Sequence, residues 1–364
     1  MGDSARSEGR SASIDELKGL AILLVVLFHC TCMLRLPNFT RGHAGADIFL
    51  MLSGFALAWT LRDEGGGRFL LRRLATVLPR YWAALALIVL LNGAILGRWD
   101  GVSDVGLHAL ALHAFSAGAF FGVNISWWFI GVIVPLYAVV ALLRPWLRAG
   151  RIDCLIACGL GLTAAVRLIG LATGSDEIAG HFTGCVPEFF LGLAVGCALR
   201  AGGSGLVIAT PVAGWAVLSY GLFAGAVDLS LLNNPDPLFA LGWGGGYLAL
   251  TRGGGEGMRR LRRLFASLGT ISFEVYLYHQ PVLTDYNERL WRWLDHGAKP
   301  DGIRLVLGMV AGFALVVGWC LLVRALSRRL FPASFDQRRR FAACALAAAV
   351  AWALYGAALA ASAG

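Results

Sequence analysis

Three side chains near the start of the chain have the types and spacing for proton chemistry beside a bound anion: Lys18, His29 and Asp47. Lys18 and His29 stand eleven residues apart. At 3.6 residues per turn this is three turns plus roughly 20°, so both share one helix face, with His29 roughly 16 Å further along. An imidazole titrates near neutral pH and can take a proton from a hydroxyl, while an ammonium can neutralise a phosphate. The plainer reading of this spacing is a snorkelling lysine and a hydrogen-bonded core histidine. Asp47, before a second apolar run, is either part of the chemistry or an N-terminal charge favoured by the helix dipole. Arg167, Glu188 and Glu274 fall inside apolar runs, where an unpaired charge is costly. Either Arg167 pairs with one of these carboxylates and pins two helices, or the three wall a polar substrate cavity. The eight cysteines show no ligand spacing with histidines, and no metal site is expected. His43, His108, His113, His181 and His296 fall near outer ends or loops and are expected in solvent.

The elements that must position these groups are membrane helices. Apolar residues make up 58% of the chain and charged ones 15%, against about 25% charged in a soluble domain. They come in long blocks such as 20–28, 83–91 and 305–323, which approach or reach the roughly 20 residues a bilayer span needs. The spacing predicts an all-α polytopic bundle of about ten or eleven spans. They fall near 18–36, 45–61, 80–97, 126–143, 152–171, 183–199, 205–226, 237–251, 265–283, 304–323 and 341–361. A polar segment, 1–13, precedes a single transmembrane domain, 14–361, and the first apolar run reads as an uncleaved span. With the N-terminus cytoplasmic, only Arg35, Arg41, Arg98, Arg289, Arg292, Lys299 and Arg304 fall on the outer side, and Arg167 lies within a span. The remaining Lys and Arg are then inside, as the positive-inside rule expects of an inner-membrane protein. That distribution accounts for the net charge of +9 without nucleic acid.

Asp15, Lys18, Gly19 and His29 resemble the opening motif of the acyltransferase-3 family of membrane acyltransferases. Lys18 stands where that family usually has Arg, which keeps the charge but loses the bidentate fork. Gly45, Asp47, Phe49, Ser53, Gly54 and Phe55 are similar to its second motif, and Arg72, Arg73, Pro79, Tyr81 and Trp82 to the basic stretch before its third span. Trp128, Phe129 and Tyr137 resemble the fourth-span segment, although Ile133 occupies a position where many members carry Glu. Gly269, Ile271, Ser272, Tyr276, Leu277, His279 and Pro281 resemble a late motif, and the resemblance runs from about residue 13 to 325.

The resemblance implies an O-acyltransferase that takes an acyl group, acetyl from acetyl-CoA above all, from a cytoplasmic acyl-CoA. The acceptor would be a hydroxyl on a glycan, a lipid-linked sugar or another small molecule. On that reading His29, Lys18 and Asp47 are catalytic and Arg72, Arg73 and Arg80 meet the coenzyme's phosphates. Arg167, Glu188, Glu274 and His279 then line the acceptor cavity. Partners are the lipid bilayer, acyl-CoA and a carbohydrate or small-molecule acceptor. The alternative is a transporter or flippase using the same cavity without chemistry. The lack of a visible inverted repeat speaks against it.

Overall fold

The computed structural model describes residues 2–36, 44–60, 64–116, 118–148, 183–200, 254–297, 300–330 and 337–362, with isolated positions between 151 and 174. Its helices are α1 (Gly2–Met33), α2 (Ala44–Thr60), α3 (Gly66–Leu91), α4 (Val102–Ala109), α5 (Trp128–Arg148) and α6 (Thr183–Arg200). They continue with α7 (Glu256–Thr270), α8 (Ser272–Leu283), α9 (Asp285–Leu294), α10 (Gly302–Leu330) and α11 (Gln337–Ser362). Short 3-10 turns stand at His113–Phe115 and Ile125–Trp127, and among the described residues there is no strand. Lipid offers the backbone no hydrogen-bond partner, so an apolar chain satisfies its peptide groups inside helices. Among the described residues four stretches are long and apolar enough to cross a bilayer: Ser13–Met33, Gly66–Leu96, Ile125–Leu147 and Gly302–Ala325. Gly45–Trp59, Glu188–Cys197 and Phe341–Ala357 are shorter apolar helices. The protein is an all-α, multi-pass membrane protein. The expected spans 205–226 and 237–251, and most of 152–171, lie outside the described residues.

The expected continuous span 265–283 is instead two helices. Ile271 leaves helical geometry at φ −114° and ψ 8°, and the Ser272 hydroxyl donates to the Gly269 carbonyl at 2.8 Å. Before the break, α7 carries Arg259, Arg260, Arg262 and Arg263 beside Leu261, Leu264 and Phe265, the make-up of a helix lying along an interface. After it, α8 has only 12 residues, about 18 Å of rise against a hydrocarbon core of about 30 Å. Apolarity marked this stretch as membrane-embedded but carried no signal for the break.

The chain folds as two compact units. The first comprises residues 1–25, 41–64 and 139–272. Its core gathers Leu20, Ala21, Leu24, Ile48, Leu52 and Phe265. Two glycines set the approach of α1 to α7. A Cβ on Gly19 would lie 2.0 Å from the Phe265 carbonyl oxygen, and one on Gly269 would lie 1.8 Å from that of Asp15. The crossing of α2 and α6 is equally close, with Gly54 against the Phe189 carbonyl and Gly192 against that of Met51. Small residues at crossings let backbones touch, and dispersion then holds helices together where lipid removes the hydrophobic drive. The motif glycines of the first and second spans are packing positions.

The second unit comprises residues 26–40, 65–138 and 273–364. Here α3 runs into a π-helical turn, Asn92–Leu96, and stops at Gly97 with φ 67°. Buried Asn92 donates to the Val123 carbonyl at 3.0 Å and to Asp100 at 3.1 Å, and accepts from the Tyr286 hydroxyl at 2.9 Å. Helix α11 is held by hydrogen bonds from the Trp352 indole to the Val102 carbonyl at 3.2 Å and from the Tyr355 hydroxyl to the Asp100 carbonyl at 2.6 Å. A cavity of about 570 Å³ opens between α3, α4 and α11, walled by residues such as Trp82, Val89, Trp99, Ala351 and Trp352. Its lining is apolar and includes none of the expected site residues.

Candidate active site

In the second unit the end of α1 brings His29 against His279 of α8, with ring centroids 5.2 Å apart and planes inclined at 57°. His279 is fully buried, and its ring folds back on its own helix. Its Nδ1 lies 2.9 Å from the Tyr276 carbonyl and 3.2 Å from that of Val275. Carbonyls only accept, so this nitrogen carries the proton and Nε2 presents a lone pair. That Nε2 is buried without a hydrogen-bond partner. A fixed tautomer with a free basic nitrogen beside a second imidazole is an arrangement for moving a proton. His29 keeps partial exposure, as a group that meets a substrate must.

Glu274, five residues before His279 on α8, pairs with Arg80 of α3 at 2.7 Å. The Arg80 guanidinium also lies 4.7 Å from the centre of the Phe273 ring and donates to the Thr76 carbonyl. Among the described residues the ion-pair partner of Glu274 is Arg80, and the expected partner Arg167 lies outside them. On the same helix Arg72 and Arg73 flank the buried Phe69 ring, at 5.8 and 5.7 Å from its centre.

In the first unit Lys18 sits one turn beyond Asp15, with Nζ 3.2 Å from the carboxylate and the side chain 36% exposed. Lys18 and His29 do stand on one continuous helix, α1, so their eleven-residue separation is a helical spacing. Asp47 in the first turn of α2 and Glu188 on α6 are both buried. The sequence reading passed over a pair beside Lys18. Arg262 of α7 forks onto Glu16 of α1, with both nitrogen-to-oxygen distances 3.0 Å. An acidic residue next to an opening motif and a run of four arginines were the only signals for it.

His108 and His113, expected in solvent, are both fully buried in the second unit. Their rings stack at 4.0 Å with planes 4° apart. Ala111 takes a left-handed φ of 55°, and this reversal after α4 lays His113 back on His108. His108 Nδ1 donates to the Asp104 carbonyl and His113 Nε2 to that of Trp127, each at 2.9 Å. Burial pushes His108 from the ordinary imidazole value down to about 3, with the neighbouring His113 adding to the effect and the carbonyl bond opposing it. Burial likewise pushes His113 down to about 4 against its carbonyl bonds. Both rings are therefore neutral at pH 7, and their carbonyl bonds tie α4 and the turn after it to the fold. Among the described residues, no three His, Cys, Asp or Glu side chains gather to hold a metal.

Apolar helices enclosing a partly exposed imidazole against a buried, tautomer-locked one define a helical membrane protein with a histidine pair in its interior. Residues 11–325 match the family described as "Acyltransferase domain", and the chain belongs to this family of acyltransferases. Helix α11 lies beyond the matched residues. The chain is 27% identical over 336 residues to a putative membrane-bound transacylase, BcsY, of Komagataeibacter xylinus, covering 85% of this chain and 82% of that protein. It is 28% identical over 171 residues to the exopolysaccharide production protein ExoZ of Rhizobium meliloti (strain 1021), covering 44% of this chain and 51% of that protein. No solved structure matches the chain.

Proposed function

We propose that this membrane acyltransferase moves an acyl group, acetyl in the first instance, from acyl-CoA to a carbohydrate hydroxyl, with His29 as general base. The observation that carries the reading is the contact of His29 with His279, whose Nδ1 proton is committed to backbone carbonyls. In the proposed step one ring nitrogen of His29, packed against the neutral His279 ring, serves as the base. That nitrogen removes the acceptor's hydroxyl proton as the oxygen attacks the thioester carbonyl. The C–S bond then breaks, and the imidazolium returns the proton to the coenzyme A thiolate. A positioned base of this kind contributes about 10²- to 10⁴-fold.

Lys18, Arg72 and Arg73 are the proposed contacts for the coenzyme's phosphates, reached from the cytoplasm in a chain whose N-terminus lies on that side of the inner membrane. Asp47 is assigned to orienting the acceptor. A carbohydrate acceptor is supported by the likeness to a protein named for exopolysaccharide production.

The test is acyl transfer by purified protein in liposomes supplied with labelled acetyl-CoA and an extracted surface glycan. Wild-type protein is expected to label the glycan, and His29→Ala to lose at least about a hundredfold in rate while inserting normally. An His29→Ala protein with wild-type turnover refutes the base assignment. Thioester that stays intact beside a transported glycan supports the transporter reading instead.

A further inference from the structure

Helix α8 contains a proline at its centre of action. Pro281 has no N–H, so the carbonyl four residues earlier, that of Leu277, loses the hydrogen bond an unbroken helix would supply. That carbonyl does not go unpaired: the Trp127 indole Nε1 donates to it at 3.1 Å from the 3-10 turn before α5. Trp127 is fully buried, so no water replaces it. One residue back, the Tyr276 hydroxyl donates to the Ser126 carbonyl in the same turn. The turn itself is stiffened by Asn124, whose Oδ1 accepts from the Ser126 backbone N–H at 3.0 Å and the Ser126 hydroxyl at 2.8 Å.

Two bonds thus fasten the 3-10 turn to consecutive residues, Tyr276 and Leu277, on the stretch of α8 that carries His279. The Tyr276 carbonyl is also an acceptor for His279 Nδ1. From this geometry we infer that Trp127 is a positioning residue for acyl transfer. Its indole N–H stands in for the missing Pro281 amide and sets the register of His279 against His29. The inference rests on the acyltransfer reading above, and it assigns a role to a residue outside the matched motif residues.

The exchange of one donor for another gives a test with a defined sign. Trp127→Phe keeps one aromatic ring, loses the indole's second ring with its N–H, and leaves the Leu277 carbonyl without that donor. Pro281→Ala restores a backbone N–H four residues beyond that carbonyl. Four proteins are compared in liposomes: wild type, Trp127→Phe, Pro281→Ala and the double variant. Trp127→Phe is expected to lower kcat about ten- to hundredfold, the range for groups that orient a reacting side chain. The KM for acyl-CoA is expected to stay unchanged. Adding Pro281→Ala is expected to recover most of the lost kcat and of the lowered melting temperature. Additive losses in the double variant, or full kcat in Trp127→Phe, overturn the inference.

If Trp127→Phe fails to fold, benzothienylalanine at 127 gives the same comparison, because it keeps the bicyclic shape and replaces N–H with sulfur. Wild-type protein that transfers no acyl group overturns the functional reading. That failure is told apart from failure of the clamp because the melting temperatures of the four proteins still couple.

Discussion

Lowering the pH from 7.5 to 5 should weaken the fold through the stacked His108–His113 pair, which lies outside the spanning helices. In the unfolded chain each imidazole takes a proton below about pH 6.5. In the folded chain burial holds His108 down to about 3 and His113 to about 4. The unfolded state therefore binds more protons between these limits. The stabilisation is complete above about pH 6.5 and is lost as the pH falls toward 4. At pH 5 each ring has lost about 2 kcal/mol, and the pair about 4 kcal/mol, relative to pH 7.5. The check is denaturant unfolding in detergent micelles at both pH values, comparing wild type with His108→Phe/His113→Phe. The double variant keeps two flat stacked rings and removes both titrations. Its stability should fall by about 4 kcal/mol less than that of wild type over the same pH interval. Parallel pH profiles for the two proteins would refute neutral burial of this pair.

The two glycine crossings of the first unit make a second prediction. Gly19→Ala or Gly269→Ala places a methyl within 2.0 Å of a carbonyl oxygen and should cost at least about 3 kcal/mol in denaturant unfolding, whereas wild-type stability would mean that α1 and α7 do not meet there. Glu16→Gln keeps the shape of the fork but removes its charge, and with Arg262 one-third exposed the expected loss is about 1 kcal/mol; an unchanged unfolding midpoint would show that the pair contributes nothing. Lys18→Arg should retain acyl transfer and Lys18→Glu should raise the KM for acyl-CoA about tenfold, so equal kinetics in the two would remove Lys18 from the donor site. Arg80→Glu should lower the melting temperature and Arg80→Glu/Glu274→Arg should restore it, since the ion pair joins α3 to α8; no recovery in the double variant would rule out a direct pair.

Composition and motif order by themselves determined the class of this protein. A chain with 58% apolar residues in long blocks must close its backbone hydrogen bonds within helices once it enters lipid. The order of the quoted motifs carried the family, and residues 11–325 match it. The helical spacing of Lys18 and His29 was legible too, because both stand on one helix and the period of a helix is local. Partnership was not legible. Glu274 pairs with Arg80, 194 residues away, Arg262 with Glu16 across 246, and the Trp127 indole reaches the Leu277 carbonyl across 150. His108 and His113 read as loop residues until the left-handed turn at Ala111 folded them into the interior. Hydropathy sums over a window and reports only which residues avoid water. Which buried polar groups answer one another depends on how helices distant in the chain pack together, and only the tertiary structure decided that.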